Sequence, residues 1–269
     1  VDTRLQSGDE VRIPPIRYTE KESEHSAPPL KLSEMPPILF EDQNIMVVDK
    51  LAGMASHGGS GISYGLIERM RASRPELPFL ELVHRLDRGT SGVLVLAKTR
   101  KALVRLHEMI REGEMHKTYQ ALVKGDWQND RQHAKFPLFK YVTPSGERRV
   151  RVDPENGLPS HSIFRLKERF GPVSLVEVDL LTGRTHQIRV HAAELGFPLV
   201  GDEKYGDFAF NDEVAHGSLG VPFKRMFLHS GKICFHHPIT GEELEIEAPL
   251  PKDCVELIEV LEQRKAQNK

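Results

Sequence analysis

Residues 84–92, HRLDRGTSG, place a single carboxylate, Asp87, between two arginines on a stretch of small residues. An apolar run, VLVLA, follows directly at residues 93–97 and is typical of a buried strand. Because burial favours the protonated acid, a carboxylate at this position stays ionised only when a cation lies beside it. A carboxylate held ionised in a dry pocket can serve as a nucleophile or a base. An ordinary ion pair is the alternative interpretation.

Two further segments carry side chains that could take part in chemistry. The segment HKTYQALV carries Tyr119 on a predicted strand, where its ring offers a flat stacking surface or, alternatively, a core residue. The segment LTGRTHQIRVH carries Arg184 at the start of a predicted helix, where the helix dipole disfavours a cation. A guanidinium at that end of a helix therefore indicates a specific acidic partner.

The cation that keeps Asp87 charged can come from its own loop or from another segment. Arg85 and Arg88 lie near Asp87 in sequence, but side chains on an extended stretch alternate between opposite faces. We therefore expect the guanidinium of Arg184 within about 4 Å of the Asp87 carboxylate, the usual limit of an ion pair. Arg85 and Arg88 should point away from it.

Three histidines near these motifs suggest a metal site at first sight. His186 and His191 are five residues apart, a spacing that places them on different faces of a helix, and His84 lies far away in sequence. Three coherent ligands, the usual minimum for a zinc site, are not visible. We predict no metal ion.

Composition limits the class of protein. The chain has 269 residues, of which 39% are hydrophobic and 28% charged, and its net charge is -2. It contains no run of roughly 18 apolar residues that would span a membrane. Its two cysteines predict free thiols in a reducing cytoplasm. Basic residues cluster between His84 and Arg105 and in ERRVRV at 147–152, a segregation of charge that suits a polyanion or, alternatively, solvated helix faces.

The order of predicted elements favours an α+β domain on a mixed, mostly antiparallel sheet. We predict a helix capped by Thr99, a hairpin turning at FGP near residue 171, and a helix entered at residues 183–185. Residues 18–37 are polar and rich in proline, which predicts a flexible linker. The folded catalytic domain is expected to occupy residues 38–269.

The ordered series HRLDRGTSG, HKTYQALV, GRTHQIRVH and GDEKYG resembles the RluA-type family of RNA pseudouridine synthases. The resemblance extends over about residues 38–250. It implies the pseudouridine synthase fold, in which helices flank the mixed sheet and a central cleft holds the site. Within the family, the chain most resembles the members that modify large-subunit ribosomal RNA. Residues 1–17 resemble the end of a small alpha-L RNA-binding domain, most of which would precede Val1.

The resemblance also implies roles for individual residues. Asp87 matches the catalytic aspartate, Arg184 the arginine that pairs with it, and Tyr119 the tyrosine beneath the target base. Arg85 resembles a wedge that replaces the extruded base, a step that costs a few kcal/mol of unstacking, although contact with phosphate alone is an alternative. The remaining expected substrate contacts are Arg88, Arg225 and Leu228.

The implied reaction breaks the N1–C1′ bond of uridine and rejoins the base through C5, so no cofactor is needed. We expect a cytoplasmic monomer whose partner is large-subunit ribosomal RNA, with no membrane association. Two other classes stay open. A glycoside hydrolase would need a second carboxylate, for which Glu177 and Asp179 are candidates on the predicted solvent face. A non-catalytic RNA-binding module would have no use for Asp87, which repels phosphate.

Overall fold

The computed structural model describes residues 27–59 and 63–267, and within them it shows an α+β fold. The prediction for residues 1–17 lies outside the described residues. None of the helices in the described ranges is long and apolar enough to cross a membrane.

The described ranges contain twelve strands, of which ten form one sheet and the other two form a separate hairpin. The strands are β1 Ile38–Glu41, β2 Ile45–Lys50, β3 Glu81–Leu82, β4 Ser91–Ala97, β5 His116–Lys124, β6 Arg131–Ala134, β7 Leu138–Val142, β8 Arg148–Val152, β9 Ser162–Arg169, β10 Val173–Leu180, β11 Leu228–His236 and β12 Glu243–Glu247. The main path runs β1-β2-β4-β11-β5-β10-β9-β6, with β3 beside β4 and β12 beside β11. Every pairing is antiparallel except β4 with β11. The prediction of a mixed, mostly antiparallel sheet is confirmed.

Five helices accompany the strands in the described ranges. They are α1 Leu66–Ser73, α2 Arg100–Glu112, α3 Gln187–Glu194, α4 Phe208–Ala215 and α5 Lys252–Gln267. The Thr99 hydroxyl caps α2 as predicted, accepting a hydrogen bond from the Ala102 amide at 3.2 Å. Helix α3 begins at Gln187, later than the predicted entry at 183–185, because His186 adopts a left-handed conformation (φ 54°) just before it.

Both faces of β4 are covered, which explains its unbroken apolar sequence. Val93, Val95 and Ala97 pack with α2 on one face of the sheet. Leu94 and Leu96 pack on the other face with residues of α1 and α3. The strand that follows the Asp87 loop is therefore fixed from both sides.

The predicted linker differs from the structure in its described part, residues 27–37. Leu30 is buried in the core cluster that α1 shares, and its amide donates to the Ser73 hydroxyl at 2.8 Å. Glu34 forms an ion pair of 2.6 Å with Arg69 of α1. The apolar side chain of Leu30 packs against the domain although the segment around it is rich in proline.

The parallel pairing of β4 with β11 requires a glycine at position 92. Gly92 has φ 108°, and a Cβ atom there would lie 2.2 Å from the Ser230 carbonyl oxygen. No other residue type accepts both the left-handed conformation and this close approach of two backbones.

We predict that Gly92→Ala lowers the free energy of unfolding by more than about 3 kcal/mol, because backbone strain and steric overlap add. Urea denaturation measures the difference. Gly89→Ala, in the same motif, is the matched control, since its Cβ would meet only the flexible Met226 side chain, at 3.3 Å. Equal midpoints for Gly92→Ala and the wild type would contradict this account of the motif.

Candidate active site

The loop that carries Asp87 is pinned on both sides of the carboxylate. Before it, Leu86 exchanges two hydrogen bonds with the Ser56 hydroxyl, which donates to the Leu86 carbonyl at 2.8 Å and accepts from its amide at 3.1 Å. After it, the Arg88 carbonyl accepts from the Gly53 amide at 2.8 Å. The backbone on either side of Asp87 is therefore held by the segment that follows β2.

A buried lysine stabilises the segment that follows β2. Lys50 has no exposed surface, and its ammonium donates to the carbonyl oxygens of Met54 at 2.7 Å and Leu51 at 3.0 Å, with Arg88 at 3.5 Å. Burial lowers the pKa of Lys50 to about 7, although the negative charge of Asp87 acts in the opposite direction. Lys50 thus joins the two backbone segments that position the carboxylate.

The cation beside Asp87 is Arg189, in α3. Its Nη1 donates to Asp87 Oδ2 at 3.1 Å, while Nε and Nη2 donate to the two oxygens of Asp202, each at 2.7 Å. Asp202 is fully buried and also accepts from the amides of Lys204 and Tyr205. One guanidinium therefore bridges two carboxylates, of which Asp87 is the partly exposed one, at 27%.

The charges of this triad stabilise one another against burial. Burial disfavours the charged form of Arg189, but hydrogen bonds and the charges of Asp202 and Asp87 raise the pKa of the guanidinium above its usual value. Burial raises the pKa of Asp202, and the hydrogen bonds from Arg189 more than offset that effect, so the net pKa is lowered. The side chain facing Asp87 is therefore a permanent cation.

The prediction that the Arg184 guanidinium pairs with the Asp87 carboxylate is wrong. Arg184 is exposed and its Nε donates to the Pro159 carbonyl at 3.2 Å. Among the described residues, the groups within ion-pair distance of Asp87 are Arg189 and, at 3.9 Å, the ring of His186. The left-handed turn at His186 separates the directions of the two arginines, so that Arg184 lies at the rim and Arg189 faces inward.

Arg85 and Arg88 point away from the carboxylate, as expected. Arg85 Nη1 lies 2.8 Å from His57 Nε2, and Arg88 Nε donates to the Gly53 carbonyl at 3.0 Å. Both side chains are exposed, and both residues line the cleft that contains Asp87.

Tyr119 and Leu228 also line this cleft, whereas Arg225 does not. Tyr119 lies on β5, opposite Val178 on β10 and Ser230 on β11. Burial raises the pKa of its phenol, so the hydroxyl keeps its proton. Arg225, predicted as a substrate contact, instead pairs with Asp253 near the start of α5 at 2.7 Å. Arg225 therefore has an acidic partner that does not line the cleft.

The cleft has a volume of about 670 Å³ and is strongly basic. In the part of the chain that the structure describes, its lining contains one acidic residue, Asp87, and eight lysines or arginines. The eight are Arg85, Arg88, Arg111, Lys117, Arg148, Arg184, Arg189 and Lys204. Such a lining suits a polyanion that surrounds a single reactive carboxylate.

Sequence analysis missed several of these residues. Lys117 lies two positions before Tyr119 and therefore on the same face of β5, and burial lowers its pKa to about 8. Arg148 projects from β8, in the ERRVRV segment that was noted only for its charge. Arg189 gave a usable signal: it is a charged residue between Ile188 and Val190 in a helix whose residues are mostly buried, and a buried charge needs a partner.

The second-carboxylate hypothesis fails on geometry. Glu177 and Asp179 do not line the cleft; Asp179 pairs with Arg165 of β9, and Glu177 lies 3.8 Å from the same guanidinium. In the described ranges, no group of three or more histidine, cysteine or acidic side chains is placed to hold a metal ion.

Comparison with known proteins shows a matching family model and similar sequences. Residues 44–194 match the family model described as RNA pseudouridylate synthase. The chain is 49% identical over 262 residues to "Ribosomal large subunit pseudouridine synthase C" of Salmonella typhi, covering 96% of this chain and 81% of that protein. It is 49% identical over 251 residues to the protein of the same name in Escherichia coli K12, covering 92% and 77%.

Solved structures resemble the fold. "Human RNA Pseudouridylate Synthase Domain Containing 1" superposes with a TM-score of 0.65 at 26% identity, covering 87% of this chain and 97% of the human one. "Human RNA Pseudouridylate Synthase Domain Containing 4" gives a TM-score of 0.68 at 22% identity, covering 84% and 92%.

We predict that Asp202→Asn lowers the free energy of unfolding by about 3–5 kcal/mol at neutral pH, because Arg189 loses a buried counter-charge. The pKa of Asp202 is depressed in the folded state, so its stabilisation is present above the ordinary carboxyl pKa and is lost as the pH falls through the folded value. The difference between variant and wild type should shrink in acid, as followed by urea denaturation. Asp212→Asn, on an exposed pair with His216, should behave like the wild type. A constant difference across pH would argue against the triad.

Proposed function

This chain belongs to the RNA pseudouridylate synthase family, and we propose that it isomerises uridines of large-subunit ribosomal RNA with Asp87 as the reacting carboxylate. The observation that carries the proposal is the position of that carboxylate. Among the described residues it is the one acid in a cleft lined by eight basic side chains, and it lies 3.1 Å from a buried arginine. The relatives named for large-subunit RNA supply the substrate class.

RNA would enter along the basic lining, since neutralising phosphates dominates the affinity of proteins for nucleic acids. The target uridine has to leave its stack to reach Asp87, at a cost of a few kcal/mol. We propose that Arg85, Arg88 and Arg184, which are exposed at the cleft, contact phosphates or fill the space that the base leaves. The wedge role belongs to Arg85 in this proposal.

The extruded base would lie between Tyr119 and Leu228, both of which line the cleft. An aromatic face beneath a base contributes roughly 1–3 kcal/mol of stacking. Asp87 then meets the nucleotide while it accepts a hydrogen bond from the Arg189 guanidinium. It can act as nucleophile or base while the N1–C1′ bond breaks and the C5–C1′ bond forms.

The atoms balance without a cofactor. The base loses its C5 proton and gains a proton at N1, so the product is an isomer of the substrate. The proposed setting is the cytoplasm, with ribosomal RNA as partner and the protein acting as a monomer.

We predict that Asp87→Asn lowers turnover by at least about three orders of magnitude, in line with the loss of an active-site nucleophile or base. RNA affinity should hold or improve, because a negative charge next to phosphate is removed. The assay is tritium release from C5 of uridine in a large-subunit rRNA transcript, with filter binding for affinity. Asp212→Asn serves as the control for loss of a carboxylate on the surface. More than a few per cent of wild-type turnover in Asp87→Asn would refute the assignment.

We further predict that Tyr119→Phe keeps RNA affinity, since the stacking ring remains, but lowers single-turnover tritium release if the hydroxyl takes part in proton transfer. Tyr141→Phe, on the β7–β8 hairpin, is the matched control for a lost phenol. Wild-type turnover in Tyr119→Phe would restrict the residue to stacking.

A further inference from the structure

His186 combines three features that neither the catalytic carboxylate nor its ion pair explains. It is the one non-glycine residue with positive φ in the described ranges, at 54°. Its side chain is 14% exposed and lines the cleft, and Nε2 lies 3.9 Å from Asp87 Oδ2. The backbone carries a conformational cost of roughly 1–3 kcal/mol here, which persists only where surrounding contacts enforce it.

Those contacts come through Tyr205. The Tyr205 hydroxyl lies 2.7 Å from His186 Nδ1 and accepts a hydrogen bond from the Val150 amide at 2.9 Å. A phenol has one proton to donate, and His186 Nδ1 is the acceptor that lies within hydrogen-bond distance among residues 27–59 and 63–267. The arrangement that satisfies every group has Tyr205 donating to an unprotonated Nδ1.

The tautomer of His186 follows from this chain, because the hydrogen bond at one ring nitrogen decides which nitrogen carries the proton. With Nδ1 as acceptor, the proton of the neutral ring is on Nε2. Burial lowers the pKa of His186 to about 4, so the ring is neutral around pH 7. Nε2–H faces the cleft at the carboxylate and is too far from Asp87 Oδ2 for a direct hydrogen bond.

We propose that His186 is a substrate-positioning residue whose Nε2–H donates a hydrogen bond to an oxygen of the nucleotide bound next to Asp87. Tyr205 fixes the tautomer, and the left-handed backbone aims the ring. This rests on the proposed function, because it assigns a contact within the same site. The donor is neutral, so it orients the nucleotide without neutralising the charge of Asp87.

The first test measures the tautomer without RNA or activity. Long-range ¹⁵N–¹H correlation spectra of the intact chain distinguish a protonated from an unprotonated ring nitrogen, and His186→Asn identifies the signals by their loss. We expect the Nε2–H form in the wild type. In Tyr205→Phe, which removes only the hydroxyl, the preference for that form should weaken. An Nδ1–H ring in the wild type would overturn the proposal.

The second test separates side-chain chemistry from backbone strain. Asparagine tolerates the left-handed conformation and glycine relieves it, so His186→Asn and His186→Gly should unfold at the same or a higher temperature than the wild type. Single-turnover tritium release from a large-subunit rRNA transcript should fall about 10²–10³-fold in both, as when one positioned donor is removed. RNA affinity should change little. His216→Asn, an exposed histidine at the end of α4, should retain wild-type rates.

The outcomes keep the two proposals apart. If the wild type releases no tritium, the proposed function fails, whereas the tautomer is still measured. If the wild type is active, Asp87→Asn is inactive and His186→Asn keeps the wild-type rate, the function stands and the role of His186 is refuted. The role would also be refuted if the loss of single-turnover rate in His186→Asn were matched by a loss of melting temperature, since a purely structural residue gives that pattern.

Discussion

The two hydrogen bonds between Arg189 and Asp202 are the interaction on which the site depends. A guanidinium that is 8% exposed costs several kcal/mol to desolvate, and Asp87 alone, partly exposed to water, would not offset that cost. Asp202 is completely buried and makes the bidentate contact, so it holds Arg189 in place whether or not the cleft is occupied. Asp87 then meets a cation that is already positioned, which is the meaning of a preorganised site.

The sheet supplies the second constraint, because the site is assembled from distant parts of the chain. The Asp87 loop precedes β4, Tyr119 lies on β5 and Leu228 begins β11, and these three strands are neighbours in the order β4-β11-β5. The parallel contact of β4 with β11 depends on Gly92, which stands five residues after the carboxylate. Gly92 of HRLDRGTSG thus belongs to the backbone geometry, and Asp87 to the chemistry.

Sequence analysis predicted the local features correctly but not which arginine faces Asp87. The apolar run after Asp87, the cap at Thr99 and the placement of Tyr119 and Leu228 were accessible, because they follow from alternation, capping and motif order. The partner of Asp87 was assigned to Arg184 instead of Arg189, since the left-handed residue between them leaves no periodic signal in the sequence. The pairing of Arg225 with Asp253 was equally inaccessible, as that partner comes from a helix 28 residues further along.

The basic cleft has a consequence for how the protein moves in a crowded, polyanionic environment. The whole chain carries a formal charge of -2, while the cleft lining carries eight positive charges and one negative. The rest of the chain therefore carries a net charge of -9, and the positive charge is concentrated at the cleft. The field of an RNA attracts the basic lining and repels the acidic remainder, which favours an approach with the cleft forward. Encounters in the wrong orientation are thus short, and diffusion itself selects the productive one.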